Sequence, residues 1–167
     1  MNQEPQEDRV GALAVVADIM SRDVVTATLR TPVAEIARLM ADRGISGVPV
    51  VDATGRILGV VTDHDLIIRN APIDPPPYLP LLEGRIPLET PRHFERRLRH
   101  VAGSEAADIM TGEVVSIAPE AEIEALAALM VRKRLHVVPV VVADRLVGVV
   151  TRADVLRFMA GSVGAGA

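Results

Sequence analysis

Along residues 33–40 the apolar side chains Val33, Ile36, Ala37 and Met40 follow the spacing of a helix with one buried face. Pro32 suits the first turn of that helix, and Gly44 its end. Runs rich in β-branched residues flank it. Val24-Val25-Thr26 precedes it as a short β segment, and residues 48–51 and 57–61 follow as two strands around Asp52-Ala53-Thr54-Gly55, which has hairpin-turn chemistry. A second helix is expected from residue 63 to 69, so the unit reads β-α-β-β-α.

The pattern then repeats. Ala17-Asp18-Ile19-Met20 recurs verbatim as Ala107-Asp108-Ile109-Met110, Val48-Pro49-Val50-Val51 becomes Val138-Pro139-Val140-Val141, and Gly59-Val60-Val61-Thr62 returns as Gly148-Val149-Val150-Thr151, each Thr followed three residues later by Asp65 or Asp154. The second copy has a tighter turn, Ala143-Asp144, and a closing helix over residues 152–160. Neither copy buries its sheet alone. The expected fold is therefore α/β (α+β), two pseudo-symmetric β-α-β-β-α repeats at 17–70 and 107–160, packed sheet to sheet into one module. Met20, Met40, Met110 and Met130 recur at matched positions and are expected in the core. Residues 1–16 and 161–167 read as tails. Residues 71–106 read as an extended linker, because 71–91 hold seven of the twelve prolines. Tyr78, Leu79, Leu81 and Leu82 would lie on the folded body, and residues 92–100 would form a short basic helix packing Phe94 against Leu98.

Composition narrows the chemistry. Aromatic residues make up 2% of the 167, so the core must be aliphatic. The absence of cysteine excludes disulfides, thiolate metal sites and a thiol nucleophile. The four histidines show no metal-ligand pairing, and neither a phosphate loop nor a catalytic triad motif is present. An acidic, polar start differs from a signal peptide, and the longest apolar stretch, residues 135–143, is far shorter than the roughly 20 residues a spanning helix needs. A cytoplasmic protein with no membrane association is expected. The net charge of −4 argues against broad attraction to nucleic acid.

Taken together, the Ala-Asp-Ile-Met opening, the helix ending in Leu-Met, the Val-Pro-Val-Val strand and the Gly-Val-Val-Thr-x-x-Asp ending resemble paired cystathionine-β-synthase (CBS) domains, also called a Bateman module. The likeness extends to stand-alone bacterial members with a long Pro-rich linker between the repeats. It implies a non-enzymatic regulatory module that binds adenosine nucleotides (AMP, ADP, ATP or S-adenosylmethionine) in clefts between the repeats. No cofactor is required, and magnesium enters only if carried by ATP. It also implies a homodimer, formed through exposed faces such as residues 125–130, and an effector protein whose identity is unknown.

Within that resemblance, the Asp65 and Asp154 carboxylates suit the adjacent hydroxyls of a ribose. Thr62 and Thr151, with the first-turn amides, suit a phosphate. Strand ends near Thr26 and Val48, or Ser116 and Val138, would hold the purine, with Pro49 and Pro139 leaving neighbouring backbone groups available. The copies differ in charge. Asp63 and His64 stand where the second copy has Arg152 and Ala153, and Ser46 lies in a less basic loop than the one carrying Lys133 and His136. Two unequal sites are expected, the Asp154 site favouring the more charged nucleotide. Thr-x-x-Asp before a helix is also nearly a capping box, in which Thr62 and Thr151 serve only as caps. That motif fits a second function, a ligand-free dimerisation or interaction module. A third, nucleic-acid binding through Arg92, Arg96, Arg97 and Arg99 with Phe94 and Tyr78, ranks last given the overall acidity.

Overall fold

A computed structural model describes residues 14–69, 78–81, 84–87 and 103–163. The N-terminal tail before residue 14, the basic helix expected over 92–100 and the end of the C-terminal tail lie outside them.

The first repeat contains α1 (Val16–Ile19), α2 (Val33–Arg43), β1 (Gly47–Val51), β2 (Ile57–Thr62) and α3 (Asp63–Arg69). The second contains α4 (Ala106–Ile109), α5 (Ile123–Lys133), β5 (Val137–Val142), β6 (Arg145–Thr151) and α6 (Arg152–Val163). Between them β3 (Tyr78–Leu81) pairs antiparallel with β4 (Gly84–Pro87). The expected linker therefore contains a hairpin. The dense prolines masked it, because Pro80 and Pro87 sit at positions that a two-stranded ribbon, all edge, tolerates.

The chain divides into two units. One comprises residues up to 22, 116–142 and 147 onward, and the other 23–115 and 143–146. Each unit joins the body of one repeat to the opening helix of the other. In the first, Val16 lies in a cluster with Leu126, Met130, Val138, Val140, Val150 and Val155. In the second, Ala106 and Ile109 join Ala27, Val33, Ile36, Met40, Val48, Val50 and Val61. Backbone bonds fix the crossing. The Val16 amide donates to the Ala121 carbonyl at 2.8 Å, and Ser21 and Val149 exchange bonds of 2.9 and 3.0 Å. Correspondingly, the Ala106 amide donates to Thr31 at 2.9 Å, and Thr111 and Val60 exchange bonds of 3.0 and 3.1 Å.

This arrangement explains the verbatim Ala-Asp-Ile-Met. Asp18 accepts the Val15 amide at 3.0 Å, and Asp108 accepts those of Ser104 and Glu105, so each acid caps its own short helix. Met20 and Met110 are half-buried, each lying over a glycine of its unit. A Cβ at Gly148 would sit 2.8 Å from the Met20 sulfur, and one at Gly59 2.5 Å from that of Met110. Met40 and Met130 are buried outright.

Several local expectations change. Val24-Val25-Thr26 forms no strand; only Ala27 pairs, parallel to Val50, through Ala27 N–H to Pro49 O and Val51 N–H to Ala27 O. The next rung of a parallel ladder would need an amide from residue 49, which proline lacks. Pro139 interrupts the matching ladder in the same way on the N-terminal side of Ile117. Pro32 is the N-cap of α2, one position before its first turn, and Ala37 is exposed. On α5, Leu126 and Met130 face the core while Ala125 and Ala128 are exposed, so only part of the face expected for dimerisation over 125–130 is open. The exposed large apolar residues there and on α6 are Val131, Leu156 and Met159. α6 also continues past residue 160 to Val163. Gly44 ends α2 with φ 62°, whereas its counterpart Arg134 adopts φ 55°, a left-handed conformation that costs about 1 kcal/mol for a non-glycine residue.

The β1–β2 turn follows its sequence. Asp52 Oδ1 accepts the Thr54 hydroxyl at 2.7 Å, the Thr54 amide at 2.8 Å and the Arg56 amide at 3.0 Å. The Thr54 hydroxyl foremost, then the Arg56 amide, hold its pKa below the ordinary 3.8. A carboxyl lowered on folding stabilises the fold above its unfolded pKa and loses that contribution as pH falls through the folded value. Asp52→Asn is therefore expected to lower the urea midpoint at pH 7, with the deficit shrinking below about pH 4. An equal deficit at pH 7 and pH 2.5 would remove ionisation from the account.

Candidate functional site

The Thr-x-x-Asp motifs sit at matched strand-to-helix junctions, one in each unit. In the second unit, Asp65 on the first turn of α3 is 7% exposed, and its Oδ2 accepts both the amide and the hydroxyl of Thr62 at 2.7 Å. The Asp63 amide donates to the Ser46 carbonyl at 3.0 Å, which brings the loop before β1 to the start of α3. Asp63 itself accepts the His64 amide.

The first unit repeats the geometry. Asp154 is 6% exposed and its Oδ2 accepts the Thr151 amide and hydroxyl, again at 2.7 Å. The Asp154 amide returns a bond to the Thr151 hydroxyl at 3.3 Å, completing a reciprocal cap. The Arg152 amide donates to His136 O at 3.1 Å, and its Nε donates to Leu135 O at 2.8 Å. One contact was not foreseen: Arg157 Nη2 donates to Asp154 Oδ1 at 2.7 Å. The three-residue spacing along α6 is the signal that would have found it.

Strand register decides which backbone groups stand open to a ligand. Val48 is paired with Val61, while Pro49, Val51 and by alternation Gly47 turn their polar groups away from β2. Pro49 O is taken by Ala27, so the groups beside the broken ladder belong to Gly47 rather than Val48. By the same alternation, Pro139 and Val141 bond toward Ile117, which assigns Val137 rather than Val138 to the open side. Thr26 is exposed beside Ala27, and Ser116 is half-buried beside Ile117. The structure thus brings Thr26, Ser46, Pro49, Thr62 and Asp65 to one end of β1–β2, and Ser116, His136, Pro139, Thr151, Arg152 and Asp154 to the matching end of β5–β6. His64 and Lys133 are exposed, and His64 joins the first site only through its backbone amide on Asp63. Among the described residues, no group of three or more His, Asp or Glu is arranged to hold a metal ion, and no helix is long and apolar enough to cross a membrane.

Residues 16–70 and 106–161 each match the CBS domain family. The chain belongs to that family. The uncharacterized protein MJ1426 of Methanocaldococcus jannaschii is 29% identical over 158 residues, covering 88% of this chain and 92% of its own. Among solved structures, CBSX2 in complex with AMP superposes with a TM-score of 0.74 at 22% identity, over 88% of this chain and 97% of that one. The CBS domain pair of protein MJ0100, in complex with 5′-methylthioadenosine and S-adenosyl-L-methionine, gives 0.68 at 22%, over 90% and 99%. These neighbours share the mixed α/β fold with its small antiparallel sheets. The chain is a tandem CBS pair.

Proposed function

We propose that this CBS pair is a cytoplasmic regulatory module, working as a homodimer, that binds an adenosine nucleotide at the two Thr-x-x-Asp junctions and passes occupancy to an effector protein. The observation that carries the reading is the duplication of a buried carboxylate, Asp65 and Asp154, each oriented by a Thr amide and hydroxyl beside an interrupted ladder. A ribose diol has the hydroxyl donors such a carboxylate accepts, and the Gly47 and Val137 backbones offer the hydrogen bonds a purine edge needs. AMP, 5′-methylthioadenosine and S-adenosyl-L-methionine, bound in the neighbours, support this choice of ligand class. Arg152, at the start of α6 where the first repeat has Asp63, favours the more highly phosphorylated ligand at the Asp154 site.

Thermal melting with AMP, ADP, ATP and S-adenosylmethionine tests this. A ligand present at 100 times its Kd adds about 2.7 kcal/mol and raises the midpoint by several degrees. If none of them moves the midpoint, the second reading replaces it, a ligand-free interaction module. One feature favours that alternative: the hydrogen bonds within both Thr–Asp pairs are those of helix caps. The nucleic-acid reading rests on residues 92–99, outside the described ones.

A further inference from the structure

The Asp154–Arg157 pair joins two side chains in opposite surroundings. The carboxylate is 6% exposed and the guanidinium side chain 76%. Oδ2 of Asp154 is committed to Thr151, so a sugar must address Oδ1, and Arg157 Nη2 stands on that oxygen at 2.7 Å. Arg157 lies three residues along α6, and side chains on a helix lean toward its N-terminus, which carries the guanidinium back to the first turn.

We infer that Arg157 sets the preference of the second-repeat site for phosphorylated over uncharged adenosine compounds. The inference rests on the reading that this site takes an adenosine compound at all. A ribose hydroxyl arriving at Oδ1 displaces the guanidinium. With an uncharged nucleoside the charge-assisted bond is lost, and the arginine recovers only water. With a phosphate on the same sugar, the released guanidinium forks onto phosphate oxygens, and one ion pair is exchanged for another. Its exposure lets Arg157 move without disturbing the core, while Arg152 is tethered by Nε to Leu135 and adds fixed positive charge. The first repeat has Ile68 at the position matching Arg157, a side chain that makes neither contact.

The test titrates the full chain calorimetrically with adenosine and with AMP, carrying Asp65→Asn throughout so that the Asp154 site reports. With Arg157 present, AMP is expected to bind at least about tenfold tighter than adenosine, the scale of one charge-assisted hydrogen bond. Arg157→Gln should bring the two within about threefold, AMP weakening and adenosine strengthening, and Arg157→Lys should restore part of the preference. If Arg157→Gln binds both with the original ratio, the role is overturned while nucleotide binding stands, and a lowered melting midpoint with that ratio has the same meaning. No binding of either compound to the Asp65→Asn protein overturns this inference together with nucleotide binding at Asp154.

Discussion

Ile109→Ala is expected to lower the unfolding free energy by about 2–5 kcal/mol, the range for deleting a fully buried branched aliphatic side chain. Ile109 is 0% exposed, yet the cluster it completes belongs to the other repeat: Val33, Ile36, Met40, Val48, Val50 and Val61. The loss should therefore appear far away in sequence. Hydrogen exchange should quicken at the amides of β1 and β2 more than at those of β5 and β6, although α4 opens the repeat that contains β5 and β6. Urea unfolding with an unchanged slope gives the size of the effect, and exchange gives its place. A loss below about 1 kcal/mol, or loosening confined to β5–β6, would show that Ile109 does not complete the first repeat's cluster.

The second large effect is on the ligand. Asp65→Ala and Asp154→Ala each remove a buried acceptor that holds a Thr amide and hydroxyl, and a donor left without a partner costs about 1–3 kcal/mol of stability. Each substitution should also weaken nucleotide binding at its own junction by about a hundredfold, since the sugar loses a buried, charged acceptor. Stoichiometry separates the junctions: either single variant should bind one nucleotide fewer than the parent, and the double variant none. Retention of full stoichiometry in the double variant, with circular dichroism showing an intact fold, would reduce both aspartates to helix caps.

Much of this was legible in the chain because the duplication made each weak signal appear twice. The helical spacing at Val33, Ile36 and Met40, the hairpin chemistry at Asp52 and the Thr-x-x-Asp junctions all appear where the residues place them. What escaped were features set by distant partners. Nothing local to Ala-Asp-Ile-Met says that it docks on the other copy. The missing strand at Val24-Val25-Thr26 depended on a proline in β1, the next strand along the chain, and β3–β4 formed where proline density pointed to extended linker. At the site, periodicity gives alternation along β1 but not its parity, by which Val48 bonds to β2 and Gly47 turns away. The Arg157 contact lies one helical turn beyond the motif's last residue, so the motif by itself does not contain it.

The exchanged opening helices also constrain how the molecule is made. Val16 needs Val138, Val140 and Val150, so a nascent chain exposes its first helix with no partner until nearly all of the sequence has left the ribosome. Contacts so distant in sequence slow folding, because the loop must close before any burial rewards it. A cut between the repeats would give two fragments, each with an orphan helix and a groove shaped for the helix carried by the other. The protein is thus a pair of complementary halves, each lacking the helix that the other carries.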